Sequence, residues 1–185
     1  MILYINACVR SNSRTKILAD YLLSETQKQI EELRLSEISF PKVDSAFLDK
    51  RDRLIATQQY DNPMFDLARQ FARADKIVIA SPFWDLSFPA TLKQFLEQIN
   101  VVGITFRYTE NGIPVGLCKA KKLYYVTTAG GTYVPEEYGF GYVKALAQNF
   151  YGINDVEWIK AVGLDIQGAD VTTILQECMR NISIL

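Results

Sequence analysis

The chain has 185 residues, enough for one domain with a core of ordinary size. Hydrophobic residues make up 49% and charged residues 22%, the balance of a globular chain and not of a disordered one. A net charge of -1 without a basic cluster argues against a nucleic-acid partner or a polybasic membrane contact, and no apolar run is long enough to span a bilayer. The first residues, MILYINACV, lack a cationic stretch before the apolar run, so they read as a strand and not as a signal peptide. Three scattered cysteines, Cys8, Cys118 and Cys178, do not form a disulfide scaffold and fit a reducing, cytoplasmic setting. There is no histidine, which removes a His base, a His-bound metal and a Ser-His-Asp triad; no metal set is expected. No glycine precedes Gly103, so neither the dinucleotide fingerprint nor the Walker loop follows the first strand.

In chain order, Met1 to Ala7 is a short apolar run that predicts a buried strand. Ile17, Leu18, Tyr21 and Leu22 recur at helical spacing after Thr15. Leu33 and Leu35 alternate with charge, as in an edge strand. Ser36 to Asp61 carries little pattern, with a charged helix expected around Ala46 to Gln58. Asp61-Asn62-Pro63 is a helix-start signal, followed by the stripe Met64, Leu67, Ala68 and Phe71. Lys76 to Ala80 predicts a central strand. Pro89 then opens a helix with the stripe Leu92, Phe95, Leu96 and Ile99. Lys121 to Thr127 predicts another strand. A helix through Phe140, Val143, Leu146, Ala147 and Phe150 should stop at Gly152. Val156 to Val162 is the last expected strand, and Val171, Ile174, Leu175, Cys178 and Ile182 mark the last helix.

Strands alternating with helices predict a single α/β domain over residues 1–185, a doubly wound parallel sheet covered on both faces. Ligands of such sheets bind beyond the carboxyl ends of the strands. Three loops fall there: Cys8 to Arg14, Ser81 to Phe88, and Thr128 to Tyr138.

The first loop reads ACVRSNSRT. Ser11, Asn12, Ser13 and Thr15 offer polar donors, Arg10 and Arg14 offer positive charge, and a helix begins at its end. Free backbone N–H groups and the helix dipole point to an anion there, most simply a phosphate. One of Ser13 and Thr15 also caps the helix. Cys8 and Arg14 have the C-x5-R spacing that resembles low-molecular-weight phosphatases and arsenate reductases, with Cys8 as nucleophile. The Asp-Pro dipeptide that supplies their general acid is missing, and a small buried residue at a strand end is the simpler role for Cys8.

The second loop, SPFWDLSFP, is aromatic where a loop is normally polar. It can pack inward, form a dimer contact, or support a planar ring. Next to a phosphate loop, the third option describes FMN. SPFWDLSFPATLKQFLEQI, GITFRYTENGIPVGL, TTAGGTY and FYGINDVEWIKAVGLD, in that order, are similar to segments of the FMN-dependent NAD(P)H azoreductases and quinone oxidoreductases.

That resemblance implies a flavodoxin-like three-layer sandwich with a parallel five-stranded sheet in the order 2-1-3-4-5. It implies that NADH or NADPH reduces bound FMN and that a quinone or azo compound then takes the electrons. It places Cys8, Ser13, Arg14 and Thr15 at the phosphate, with Arg14 contributing backbone. Phe83, Trp84, Asp85 and Leu86 fall along the ring, and Thr128, Ala129, Gly130 and Gly131 at its other edge. Tyr133 is a candidate for contact with flavin or acceptor, and the backbone N–H groups from Thr128 to Gly131 for stabilising the reduced ring. Phe106, Arg107 and Tyr108 suggest a structural or rim role, with Arg107 in a salt bridge. Cys8 stands where the family often has serine, Asp85 where asparagine is common, and Ala129 where a larger residue is usual. Relatives are commonly homodimers, with Phe140, Tyr142 and Trp158 as candidate contacts here. A phosphatase and a non-enzymatic flavin electron carrier remain the alternatives.

Overall fold

The computed structural model describes residues 1–24 and 26–182. Its centre is β1 (Ile2–Asn6), all five residues of which are buried. β1 pairs in parallel with β2 (Ile30–Arg34) on one side and β3 (Lys76–Ala80) on the other. β3 pairs with β6 (Lys122–Thr128), and β6 with β7 (Asp155–Ala161), again in parallel. The sheet order is β2-β1-β3-β6-β7. Strands buried on both faces favour apolar residues at successive positions, which is why ILYI and IVIA lack polar alternation. β2 is an edge, and its exposed charges, Glu32 and Arg34, discourage further strand pairing.

Successive side chains of a strand point to opposite faces, so each strand feeds two cores. Leu3, Ile5, Ile77 and Ile79 pack on one face with α3 (Asp66–Arg73), α4 (Ala90–Ile99) and α5 (Phe140–Leu146) through Phe71, Phe95 and Phe140. Ile2, Tyr4, Val78 and Val126 pack on the other face with α1 (Arg14–Ser24) and α6 (Val171–Arg180) through Leu18, Leu22 and Leu175. All four residues of the α4 stripe are buried, as the periodicity predicts.

The expected strand numbering fits only loosely, because two short strands intervene in the chain. β4 (Phe106–Tyr108) and β5 (Pro114–Gly116) form a separate antiparallel hairpin between α4 and β6. Three residues per strand are too few to show a period of two. Arg107 lies exposed on this hairpin and makes no ion pair among the described residues. The aromatics do pack: the Phe106 ring meets Phe150 edge-on at 4.7 Å and Tyr108 at 5.5 Å.

Leu35, expected in the edge strand, instead begins a short 3-10 turn and is buried. The charged helix appears as α2 (Ser45–Ala56), capped where Phe47 N–H donates to the Asp44 side chain at 3.1 Å. Asn62 caps a 3-10 turn at Pro63–Phe65 that leads into α3, so the start signal holds but the first turn is tighter than α-helical. After α5 the helix continues through a π turn at Ala147–Tyr151 and stops at Gly152, φ 75°. There a left-handed residue closes the helix without a Cβ clash.

Gly116 locks the hairpin to this π turn. A Cβ at residue 116 would lie 2.1 Å from both Gly152 N and Tyr151 C. These are backbone atoms, so neither partner can rotate away. Gly116→Ala should therefore lower unfolding free energy by about 2 kcal/mol, read as a shift in the urea midpoint; an unchanged midpoint would show that the hairpin does not depend on this contact.

Candidate functional site

Parallel pairing brings the carboxyl ends of β1, β3, β6 and β7 to one edge, and main-chain bonds continue past the strands. Ala7 N–H donates to Ala80 O at 2.9 Å, Phe83 N–H to Thr128 O at 3.0 Å, and Ala129 N–H to Ala161 O at 3.0 Å. The loops therefore start in a fixed order around a cleft of about 460 Å³. The first loop contributes Val9, Arg10, Asn12, Ser13, Arg14 and Thr15. Pro82, Phe83 and Trp84 come from the second loop, and Thr128, Ala129 and Gly130 from the third. Asp165, after β7, completes the lining.

The first and third loops meet through a buried hydroxyl pair, Thr15 Oγ1 and Thr128 Oγ1, 2.7 Å apart. One hydroxyl donates to the other, and the acceptor keeps its own hydrogen for a further partner. Ser13 N–H folds back to Arg10 O at 3.2 Å, and α1 begins at the next residue. Ser13 caps the helix, accepting from Lys16 N–H through its hydroxyl at 3.4 Å and from Ile17 N–H through its carbonyl at 3.1 Å, so the Arg14 and Thr15 N–H groups are left without an acceptor among the described residues. This end of the cleft thus offers hydroxyls, amides and the positive end of a helix dipole to an anion.

Cys8 does not join that group. It is 8% exposed and does not line the cleft. Its N–H donates to Asn6 Oδ1 at 2.9 Å, and its Sγ lies 3.9 Å from Ala80 O. Burial pushes the thiol above its ordinary range, and the Ser13 hydrogen bond and the Lys16 charge only partly oppose this. A nucleophilic cysteine needs the opposite shift. Arg14 also turns away from Cys8: its Nη1 donates to Leu164 O at 2.9 Å and its Nη2 to Asp165 Oδ1 at 2.7 Å. The C-x5-R spacing therefore assembles no phosphatase centre.

The aromatic loop is a tight hairpin. Trp84 N–H donates to Ser87 O at 2.9 Å and Ser87 N–H to Trp84 O at 2.8 Å. The two central residues, Asp85 at φ 50° and Leu86 at φ 65°, take left-handed conformations that glycine or asparagine usually fills. The turn divides the predicted ring contacts. Phe83 and Trp84 line the cleft, whereas Asp85 and Leu86 sit exposed at the tip, outside its lining. Trp84 is 39% exposed, a large apolar surface held at the mouth. Phe88, beyond the turn, leans on Tyr142 with centroids 5.8 Å apart.

On the third loop, Ala129 N–H is occupied by Ala161 O, which removes it from the set of free donors expected there. Gly130 and Gly131 N–H have no acceptor among the described residues. Gly131 has no protein atom within 4 Å of where a Cβ would stand, although it is not part of the lining. Tyr133 is 71% exposed and also lies outside the lining. Phe140 is core: it is 5% exposed and stacks on Trp158 at 4.6 Å with 10° between planes. That corrects its reading as a surface contact, whereas Tyr142 stays exposed.

Sequence reasoning missed Asp165. The available signal was positional, because Gly163-Leu164-Asp165 follows the last strand at the same sheet edge as the other three loops.

The profile of a family described as having a flavodoxin-like fold matches residues 1–184. An FMN-dependent NADH:quinone oxidoreductase of Clostridium beijerinckii is 36% identical over 187 residues, spanning 96% of this chain and 93% of the relative. The chain belongs to the flavodoxin-like family of these oxidoreductases. A second member, an FMN-dependent NADH:quinone oxidoreductase of Coprothermobacter proteolyticus, is 37% identical over 97% of this chain and 94% of its own. Among solved structures, an FMN-dependent NADH-azoreductase from Bacillus anthracis in complex with FMN superposes with a TM-score of 0.80 at 26% identity, covering 97% of this chain and 93% of that one. A further azoreductase from Bacillus anthracis reaches 0.84 at 23% identity over 97% and 94% of the two chains, a likeness of fold.

The buried thiol gives a direct check. At neutral pH, iodoacetamide should modify Cys8 in the folded protein far more slowly than in the urea-unfolded chain, and p-nitrophenyl phosphate should not be hydrolysed. Faster labelling in the folded protein would mean a lowered thiol pKa and would restore the phosphoryl-transfer reading.

Proposed function

We propose that this chain is an FMN-dependent NAD(P)H oxidoreductase that passes electrons from a nicotinamide nucleotide to a quinone or azo acceptor. One observation carries the reading: a single cleft has an anion-binding end built from hydroxyls and a helix start, and an aromatic end built from Phe83 and Trp84. A ligand with a phosphate tail and a flat heterocycle matches both ends, and the volume lies within the ordinary range for cofactor sites. The named relatives, at 36% and 37% identity, are FMN-dependent NADH:quinone oxidoreductases.

The residues divide the work as follows. Ser13, Thr15 and the backbone of Arg14 hold the phosphate, assisted by the dipole of α1. Phe83 and Trp84 cover the ring and exclude water from it. Asp85 and Leu86 act by closing the turn that carries Trp84. Thr128 and Ala129 shape the opposite wall, where the Gly130 amide supplies a donor that stabilises negative charge, with the free Gly131 amide next to it just outside the lining. Tyr133 stands outside the cradle as a contact for an incoming acceptor. FMN, when bound, would supply the two-electron chemistry, for which the side chains lining the cleft include no redox group of their own.

The working unit in this reading is a single flavodoxin-like domain over residues 1–185, with strands ordered 2-1-3-4-5 once the β4–β5 hairpin is set aside. It is a cytoplasmic homodimer, supported by the exposed aromatic side chains of Trp84, Tyr138 and Tyr142 near the cleft-forming loops. No helix among the described residues is long and apolar enough to cross a membrane.

Protein loaded with FMN and kept anaerobic should lose its flavin absorbance on addition of NADH or NADPH and regain it on addition of a quinone. No bleaching with either nucleotide ends the reductase reading. Bleaching without turnover of any small acceptor would favour an electron carrier. Trp84→Ala should weaken FMN binding about tenfold, the scale of losing one large aromatic contact, as measured by quenching of flavin fluorescence; unchanged affinity would remove Trp84 from the site.

A further inference from the structure

The geometry points to Asp165 as a positioning residue for the anion-binding end of the cleft, acting through Arg14. The inference rests on the FMN reading above and assigns a part to a residue outside the predicted cradle. Arg14 and Asp165 stand 151 positions apart in sequence, and their strands are not neighbours, since β3 and β6 lie between β1 and β7. The pair therefore spans the width of the cleft's base and joins its first loop to its last.

Three observations converge on the carboxylate. Arg14 binds it with one arm of the guanidinium and binds Leu164 O with the other, a fork that fixes both distance and orientation. The segment bearing Asp165 is laid along the third loop by three main-chain bonds. Gly163 N–H donates to Gly131 O at 2.9 Å, Leu164 N–H to Ala129 O at 3.2 Å, and Asp165 N–H to Gly130 O at 3.0 Å. Finally, the carboxylate fills the space that a side chain at residue 130 would need, since a Cβ there would lie 2.1 Å from Asp165 Oδ2. The carboxylate, held there by Arg14, thus lies directly against Gly130.

The consequence is electrostatic and geometric together. A carboxylate lining an anion site repels phosphate unless it is neutralised, and Arg14 neutralises it. In return Asp165 holds the guanidinium against the wall, so phosphate meets the amides and hydroxyls at the start of α1 in a fixed setting. The Asp165 side chain is 66% exposed, and an ion pair so open to water adds little to folding. Its effect falls on how well the first and third loops are placed before a ligand arrives.

The experiment compares full-length wild type, Asp165→Asn, and the exchanged pair Arg14→Asp with Asp165→Arg. FMN and riboflavin, which differ only in the phosphate, are titrated into each apoprotein by flavin fluorescence. Asp165→Asn should weaken FMN about tenfold, riboflavin by less than about twofold, and leave the thermal midpoint within a few degrees of wild type. The exchanged pair should recover part of the FMN affinity. Equal loss for both flavins, unchanged FMN affinity, or tighter FMN binding overturns the inference, the last by showing that the carboxylate only repels. Wild type that binds neither flavin would overturn the FMN reading and this inference with it, an outcome distinct from the other three.

Discussion

Everything at the functional edge depends on β1 being dry and paired on both sides. Its five residues are buried, and its ladders to β2 and β3 run in parallel. Buried backbone groups must be hydrogen-bonded, so a register slip in this strand would carry a large penalty and would also exchange the contents of the two cores. With β1 locked, β3, β6 and β7 follow in parallel and end at the same edge. The cleft is a consequence of that alignment and needs no separate scaffold.

Across the edge the loops are tied by a small number of specific contacts. The Thr15–Thr128 hydroxyl pair joins the first loop to the third inside the protein, where both groups are shielded from water. Such a buried bond is strongly favoured because leaving either hydroxyl without a partner is costly. The Arg14–Asp165 pair makes a second tie at the surface, where water weakens it and where it can influence position more than stability. The aromatic loop is held differently, by a two-residue turn with both central residues in the left-handed region. Strain of that kind persists when surrounding bonds enforce it, and here it presents Trp84 at the mouth of the cleft.

The lack of histidine gives the site its chemical character. The described residues also contain no group of three His, Cys, Asp or Glu side chains suited to a metal ion. Burial pushes the thiol of Cys8, at the start of the first loop, above its ordinary range. What remains is a set of donors and apolar surfaces, which is what a protein contributes when a bound cofactor carries the electrons. The full-length similarity to FMN-dependent NADH:quinone oxidoreductases agrees with that character.

Local pattern was enough to locate the five strands of the parallel sheet and most helices, because burial on one or two faces leaves a pattern that can be read along the chain. The anion-binding character of the first loop and the unusual greasiness of the second were equally visible, since both are properties of contiguous residues. The β4–β5 hairpin escaped because its strands are three residues long and its anchor is a glycine pressed against a distant backbone. The split of the aromatic loop, with Phe83 and Trp84 inside and Asp85 and Leu86 outside, depended on the sign of two φ angles that residue identity does not announce. Asp165 entered the cleft, and Cys8 left it, for reasons of spatial assembly: one is brought in from the far edge of the sheet, the other is covered by its neighbours. Sequence determined which segments are strands and helices and which loops share an edge, since hydrophobic burial follows composition and spacing. Only the tertiary structure decided which side chains meet there, because contacts between residues far apart in the chain exist only after packing has set their distance.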